Sequence, residues 1–78
     1  MIDLSSRKVS IKVILKRSQG EKIFELRVDE GTEIKEVLLN LNLNPLAFFV
    51  VKNGKVVTED EYVEEGEEYL ILPAVSGG

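Results

Sequence analysis

The stretch "EYLILP", residues 68–73, decides the fold of this chain. Its apolar side chains fall on both faces of an extended backbone, a pattern typical of a strand with neighbours on either side. We therefore predict that the last strand is central in its sheet. We expect it to end near Leu72, because Pro73 cannot donate a ladder hydrogen bond and directs the chain out of the sheet. Its neighbouring strands must then come from earlier parts of the sequence.

The first third of the chain predicts a hairpin. Apolar and polar residues alternate from Val9 to Lys16 and again from Phe24 to Val28, which is the period of a half-buried strand. The polar stretch "RSQGE" between them contains Gly20 and supplies the turn. Only Ile14 interrupts the polar face of the first strand. The two strands are expected to pair antiparallel.

A change of period follows in "DEGTEIKEVLLNLNLNP", residues 29–45. Apolar residues recur there at the i, i+3, i+4 and i+7 spacing of one helix face. Thr32 is a suitable N-cap, and Pro45 cannot continue a helix. We predict one helix over residues 32–42.

The stretch "LAFFVVK", residues 46–52, is rich in β-branched and aromatic residues and predicts a third strand. Asn53-Gly54 follows directly and is the strongest two-residue hairpin signal, so a short fourth strand, residues 55–57, should fold back. The element order ββαβββ predicts an α+β fold with one mixed sheet of four to five strands and one helix on one face.

A single helix leaves the second face of the sheet open. Alternation in the third strand places Phe49 and Val51 on that face, and Leu70 and Leu72 of the last strand join them. An exposed apolar patch of this kind is typical of a partner-binding site. The alternative is that a loop or a second copy of the chain covers it.

The composition excludes several classes of function. The sequence contains no cysteine and no histidine, which rules out disulfides, thiolate metal sites and a cysteine nucleophile. It also has no glycine-rich phosphate-binding loop. We therefore expect no intrinsic catalytic site. No apolar run has the length of a membrane span or of a signal peptide, so we expect a cytoplasmic protein without a membrane partner.

The net charge of −4 is unevenly distributed. Residues 1–39 carry eight Lys/Arg and seven Asp/Glu, whereas residues 40–78 carry two and seven. Such a surface repels phosphate backbones, so nucleic acid is a poor partner and a basic protein surface is a better one. Seven of the ten residues 59–68 are acidic, at spacings that do not fit an EF-hand loop. This segment is either a solvated acidic face or an electrostatic docking element.

The chain ends in "AVSGG", residues 74–78. A C-terminal carboxylate preceded by residues without side chains can enter a narrow channel in a partner and present an unhindered acyl carbon. A terminal Gly-Gly pair is also compatible with a frayed end.

The stretches "FFVVKNGKVV" and "VEEGEEYLILPAVSGG" resemble the β-grasp, ubiquitin-like sulfur-carrier family, the MoaD and ThiS proteins, and more distantly ubiquitin. The resemblance covers most of the chain and is strongest over residues 46–78. Two differences stand out: Gly66-Glu67 replaces the usual Gly-Asp of the family, and Leu72-Pro73 replaces the paired prolines of MoaD.

This resemblance implies a β-grasp domain over residues 1–72 and a flexible C-terminal tail over residues 73–78. In the family, an ATP-dependent adenylating enzyme of the ubiquitin-activating type adenylates the terminal carboxylate, here that of Gly78. A sulfur donor protein then converts it to a thiocarboxylate, so the resemblance implies a carrier that needs no cysteine, no metal site and no bound cofactor, with ATP used by the activating enzyme. The resemblance also implies that the patch on the open face binds a partner. The residues that would thread into the partner's channel are Ala74, Val75, Ser76 and Gly77.

The sulfur acceptor stays open between molybdopterin, thiazole and thiolated tRNA, with a molybdopterin synthase large subunit or a thiazole synthase as a further partner. Two other readings also stay open. A ubiquitin-like protein modifier would use the same adenylate to join Gly78 to target lysines. A β-grasp binding module would carry the Gly-Gly end incidentally.

Overall fold

The computed structural model describes residues 7–74. The elements within these residues are β1 (Lys8–Arg17), β2 (Gly20–Asp29), α1 (Ile34–Asn40), β3 (Phe48–Lys52), β4 (Lys55–Val57) and β5 (Glu68–Pro73). The five strands form a mixed sheet of order β2-β1-β5-β3-β4, in which β1 and β5 are parallel and the other neighbours antiparallel. The predicted α+β fold is confirmed, and β5 is the central strand predicted from "EYLILP".

The β1–β2 hairpin is longer than the alternation alone indicated. Arg17 pairs with Gly20, so only residues 18 and 19 separate the two strands. Gly20 has a φ of 128°, which a residue with a side chain rarely adopts. The second hairpin has its turn at Asn53-Gly54, as predicted. The φ values at these two residues are 54° and 80°, as a type I′ turn requires, and the twist of such a turn matches the right-handed twist of the flanking strands.

The helix begins later than predicted, because Thr32 is not its N-cap. The Thr32 hydroxyl instead donates to the carbonyl of Asp29 at 2.7 Å and closes the turn that precedes the helix. Glu33 is the N-cap, and its backbone N–H donates to Glu36 Oε2 at 3.3 Å. The predicted start at residue 32 is therefore wrong by two residues.

The predicted end at residue 42 is also wrong by two residues. Asn42 has a φ of 62°, the left-handed conformation that commonly terminates helices. The backbone N–H of Leu43 then donates to the carbonyl of Leu38 at 2.8 Å, which satisfies a carbonyl of the last turn.

The first helical amides are satisfied by the acidic loop rather than by a side-chain cap. The N–H groups of Ile34 and Lys35 donate to the carbonyls of Glu61 and Glu59 at 2.9 and 2.8 Å. This contact joins the helix to the segment that precedes β5.

The hydrophobic core lies between α1 and one face of the sheet. Alternate residues of β1 and β5 point into it, and Val13, Leu38 and Ile71 are its most completely buried large side chains. Burial of such side chains is the main source of stability in a domain of this size. The core residues are Val9, Ile11, Val13, Leu15, Ile34, Val37, Leu38, Leu43, Val50, Val63, Tyr69 and Ile71.

The last strand continues through Pro73, so the expectation that Pro73 leaves the sheet is wrong. Pro73 lies opposite Phe48, and the N–H of the next residue, Ala74, donates to the carbonyl of Ala47 at 2.8 Å. Hydrogen-bonded and non-hydrogen-bonded pairs alternate in an antiparallel ladder. Pro73 occupies a non-hydrogen-bonded position relative to β3, where its missing N–H costs nothing.

Candidate functional site: the open face of the sheet

The face of the sheet opposite α1, called here the open face, carries an apolar row that crosses every strand. The register aligns one residue from each strand, so that each member lies opposite the next. With strands about 4.8 Å apart, the row is about 19 Å long. In the order of the strands, its members are Ile23, Ile14, Leu70, Val51 and Val56.

A second apolar pair lies beside this row. Phe49 of β3 is directly opposite Leu72 of β5, two residues along each strand from the pair formed by Val51 and Leu70. The structure therefore brings together all four residues of the predicted patch, as two cross-strand pairs on one face. Directly opposed apolar side chains in a sheet stabilise one another and form a continuous surface.

Sequence reasoning missed three members of the row, namely Ile14, Ile23 and Val56. Ile14 gave the clearest signal, because it was the only apolar residue on an otherwise polar strand face. The position of Ile23 opposite Ile14 depends on the two-residue turn at Ser18-Gln19, which the sequence alone did not specify. A different turn length would have placed Ile23 elsewhere.

The row is most exposed at its two ends. Ile23 and Val56 retain 56% and 64% of their accessible surface, and Phe49 in the neighbouring pair retains 37%. The inner members of the row are half-buried by their neighbours in the sheet. Contiguous exposed apolar surface of this kind marks an interaction site.

Charged residues border the apolar surface along both sides. On one side Lys16 of β1 and Glu21 of β2 form an ion pair, with 3.6 Å between Nζ and Oε1. On the other side Lys12 lies opposite Glu25 in β2 and opposite Glu68 in β5. An apolar centre with a polar border is the usual anatomy of a protein–protein interface.

The acidic segment 59–68 does not form one uniform acidic face, because three of its carboxylates bind parts of the fold. Glu61 accepts a hydrogen bond from the Thr58 backbone at 3.1 Å, and Glu65 accepts one from the Ser10 backbone at 2.9 Å. Glu64 forms an ion pair of 3.1 Å with Lys52.

The hydrogen bond to Glu64 raises the pKa of the Lys52 ammonium above its ordinary value. Of the acidic residues in this segment, Glu68 is the one that lies in a strand on the open face, between Lys12 and the turn at Asn53-Gly54.

Tyr69 is the titratable residue among the core residues listed above. Its side chain is buried, and its hydroxyl oxygen accepts a hydrogen bond of 3.0 Å from the backbone N–H of Glu64. Burial raises the pKa of the Tyr69 phenol, since the anionic form is poorly solvated there. The group faces the core and contributes to structure rather than to the open face.

Within residues 7–74, no group of three or more acidic side chains is arranged to hold a metal ion. The single helix in this part of the chain is too short to cross a membrane.

The predicted tail residues begin next to the Phe49–Leu72 pair. Ala74 is tied to Ala47 by its backbone hydrogen bond, one residue before β3. The other predicted tail residues, Val75, Ser76, Gly77 and Gly78, lie outside the described residues. The tail thus begins at one end of the apolar surface.

Solved structures with the same fold include ubiquitin-like proteins. Caldiarchaeum subterraneum ubiquitin has a TM-score of 0.68 at 18% sequence identity, covering 92% of this chain and 100% of its own. The Haloferax volcanii HVO 2177 protein has a TM-score of 0.74 at 20% identity, covering 100% of this chain and 94% of its own. At these identities the likeness establishes the fold, a ubiquitin-like β-grasp.

The model of the ThiS family matches residues 14–78, from the centre of β1 through the terminal Gly-Gly pair. The matched region includes all five members of the apolar row, and Ile14 is its first residue. It also includes every residue predicted for the tail. The chain is therefore a ubiquitin-like β-grasp protein that belongs to the ThiS family.

Proposed function

We propose that this protein is a sulfur carrier whose Gly78 carboxylate is adenylated by an activating enzyme and converted to a thiocarboxylate. The observation that carries the proposal is the match to the ThiS family, which runs through Gly78 itself. Members of this family are small carrier proteins rather than catalysts, and they work with activating enzymes and synthases. The chemistry proposed here lies at the terminus, and the described residues supply the binding surface.

In the proposed reaction the Gly78 carboxylate attacks the α-phosphorus of ATP and displaces pyrophosphate. In the sulfur-transfer step a persulfide on a donor protein attacks the acyl carbon and displaces AMP. A thiol of the partner then cleaves the S–S bond of the resulting acyl disulfide, which leaves the thiocarboxylate on Gly78 and a disulfide on the partner. Both steps take place on partner proteins, so the carrier needs neither an ATP site nor a thiol. The lack of cysteine and histidine in the sequence is compatible with this division of labour.

The position of Ala74 supports a two-part function for the molecule. Residues 75–78 are four residues, and they place Gly78 at most about 14 Å from Ala74 when fully extended. Ala74 is held beside Ala47, next to the Phe49–Leu72 pair. An enzyme docked on the open face would therefore need its adenylation site within about 14 Å of Ala74.

The open face would supply affinity and orientation, while the tail would supply the reacting atom. Binding energy from a remote surface can position a reacting group and thereby lower the barrier of the chemical step. This arrangement predicts that substitutions on the open face raise the KM of the activating enzyme for the carrier, whereas deletion of Gly78 abolishes the reaction.

The adenylation step can be tested by ATP–pyrophosphate exchange, measured with the activating enzyme from the organism that produces this protein. The wild-type chain should stimulate exchange, and a variant lacking Gly78 should not. The deletion variant should keep its thermal stability to within about 0.5 kcal/mol, since it removes one terminal residue. If the wild type fails to stimulate exchange, the proposal is wrong.

A protein modifier would pass the same exchange test, because it would use the same adenylate. The two functions differ in the nucleophile that receives the acyl group. A modifier would leave residues 56–78 attached to lysines of other proteins after tryptic digestion, because Lys55 is the last tryptic site before Gly78, and a sulfur carrier would not. Detection of such remnants derived from this chain would favour the modifier.

A further inference from the structure

We propose that a pocket at the β3–β4 end of the open face seats a lysine or arginine side chain of the activating enzyme. This inference rests on the proposed function and specifies one contact through which the enzyme recognises the carrier. It also assigns the docking role to Glu68 alone, whereas the sequence left open whether the whole acidic segment 59–68 is a solvated face or a docking element.

The pocket has a volume of about 360 Å³ and combines an apolar wall with a carboxylate. Val51 and Leu70, a cross-strand pair of the apolar row, provide the apolar part. Glu68 lies two residues before Leu70 on the same face of β5. The turn at Asn53-Gly54 closes the end of the pocket.

The Glu68 carboxylate is a charge that the fold leaves available beside this pocket. Within residues 7–74 it takes part in no hydrogen bond and no ion pair, in contrast to Glu61, Glu64 and Glu65. Lys12 is its register neighbour in β1, yet the ammonium and the carboxylate are not within the 4.0 Å of an ion pair. Glu68 is also exposed, so a partner can reach it.

A long cationic side chain matches both parts of this pocket. The aliphatic stem of lysine or arginine packs on apolar surface while its charged head stays near water and near a carboxylate. The apolar stem would contact Val51 and Leu70, and the head would approach Glu68. A neutral apolar side chain would leave the carboxylate unmatched, and an acidic one would be repelled by it.

The wider charge distribution favours the same partner chemistry. Residues 40–78 carry seven acidic and two basic side chains, and the pocket is built from this half of the chain. A basic surface on the enzyme would be attracted before contact, which raises the association rate and makes it sensitive to salt. The apolar row would then provide most of the affinity once the two surfaces meet.

The test is the ATP–pyrophosphate exchange reaction with the activating enzyme of the same cells, measured as a function of carrier concentration. The variants are Glu68→Lys and Glu68→Gln, with Glu59→Lys as the matched control. Glu59 lies beside Ile34 and Leu38 of α1 and does not line the proposed pocket, so Glu59→Lys makes the same charge change outside that pocket. Circular dichroism melting verifies that all variants are folded.

We expect Glu68→Lys to raise the KM for the carrier by about tenfold or more with kcat unchanged, and Glu68→Gln to raise it by about threefold. The KM of both variants should depend less on ionic strength than that of the wild type. Glu59→Lys should stay within about twofold of the wild type.

An unchanged KM in Glu68→Lys, with the wild type active, overturns this inference and leaves the proposed function intact. Equal effects of Glu68→Lys and Glu59→Lys also overturn it, since they would reflect net charge rather than the pocket. A dimer of the wild type that Glu68→Lys dissociates would assign the pocket to a second copy instead. If the wild type itself is not activated, the proposed function fails and this inference fails with it.

Discussion

Ile14 of β1 and Leu70 of β5 lie opposite each other in the parallel strand pair, on the face of the sheet that α1 does not cover. This pair joins the N-terminal hairpin to the C-terminal strand in one apolar surface. The patch deduced from the sequence comprised β3 and β5 only. The observed register extends it across β1 to Ile23 at one edge and to Val56 at the other.

The extension across β1 predicts that Ile23 contributes to partner binding. Replacing Ile23 with lysine places a charge at one end of the apolar row, where 56% of the side chain is exposed. We expect the KM of the activating enzyme for the carrier to rise by about fivefold, because the charge must be desolvated against an apolar partner surface. The free energy of unfolding should change by less than about 0.5 kcal/mol.

Leu39→Lys is the matched control for Ile23→Lys. Leu39 is 58% exposed, nearly the same fraction, but it lies on the outer side of α1. Exchange kinetics should distinguish the two variants, with Leu39→Lys close to the wild type. If both variants raise KM equally, the open face is not the site that selects the enzyme.

Alanine substitutions at two adjacent residues of β5 should affect stability and partner binding differently. Ile71 is 1% exposed and faces the core, so Ile71→Ala should cost about 2–5 kcal/mol of unfolding free energy through the lost apolar contacts and the cavity left behind. Leu70 faces the open side and is half-buried, so Leu70→Ala should cost about 1 kcal/mol.

Ile71→Ala should have the larger effect on stability, but Leu70→Ala should have the larger effect on partner binding. Leu70→Ala should raise the KM of the exchange reaction, while Ile71→Ala, assayed below its melting temperature, should leave it nearly unchanged. Urea denaturation and exchange kinetics on the same samples provide both quantities. A larger stability loss in Leu70→Ala than in Ile71→Ala would mean that the two faces of β5 are assigned the wrong way round.

The buried phenol of Tyr69 predicts a loss of stability at alkaline pH. Its folded-state pKa lies above the ordinary value of 10.0, so its contribution is fully present below about pH 10 and is lost as pH rises through the folded-state pKa. Tyr69→Phe should cost about 1 kcal/mol near pH 7, since the Glu64 N–H loses its acceptor.

Urea denaturation of the wild type and Tyr69→Phe between about pH 7 and about pH 11 tests this assignment. The difference in unfolding free energy between the two proteins should shrink at the alkaline end, because only the wild type has the buried Tyr69 phenol to ionise. Lys52 is present in both proteins, and its own titration largely cancels in the comparison. A difference that stays constant over this range would contradict a raised pKa for Tyr69.

Much of the fold could be predicted from local patterns. The two-sided apolar content of "EYLILP" identified β5 as central, and Asn53-Gly54 located the second hairpin. The start of the helix could not be predicted as well, because it depends on distant backbone groups. The carbonyls of Glu59 and Glu61 accept hydrogen bonds from the first helical amides, which leaves Thr32 to close a turn instead.

Only part of the open face could be predicted, because the rest depends on how the strands are paired. Alternation within β3 and β5 was enough to group Phe49, Val51, Leu70 and Leu72, since each strand fixes its own faces. The contribution of Ile23 depends on how β2 is paired with β1, a relation between strands that the alternation within either one does not contain. The continuation of β5 through Pro73 likewise depends on which side of the strand β3 occupies.

The central claim is that Gly78 carries sulfur, and the intact mass of the protein purified from its own cells tests it most directly. The account predicts a species heavier than the unmodified chain by the difference between one sulfur and one oxygen atom. Fragmentation should place this difference on Gly78, and treatment that hydrolyses thiocarboxylates should remove it. A variant lacking Gly78 should show no such species. An unmodified mass under conditions in which the activating enzyme, ATP and a sulfur donor are all present would contradict the account.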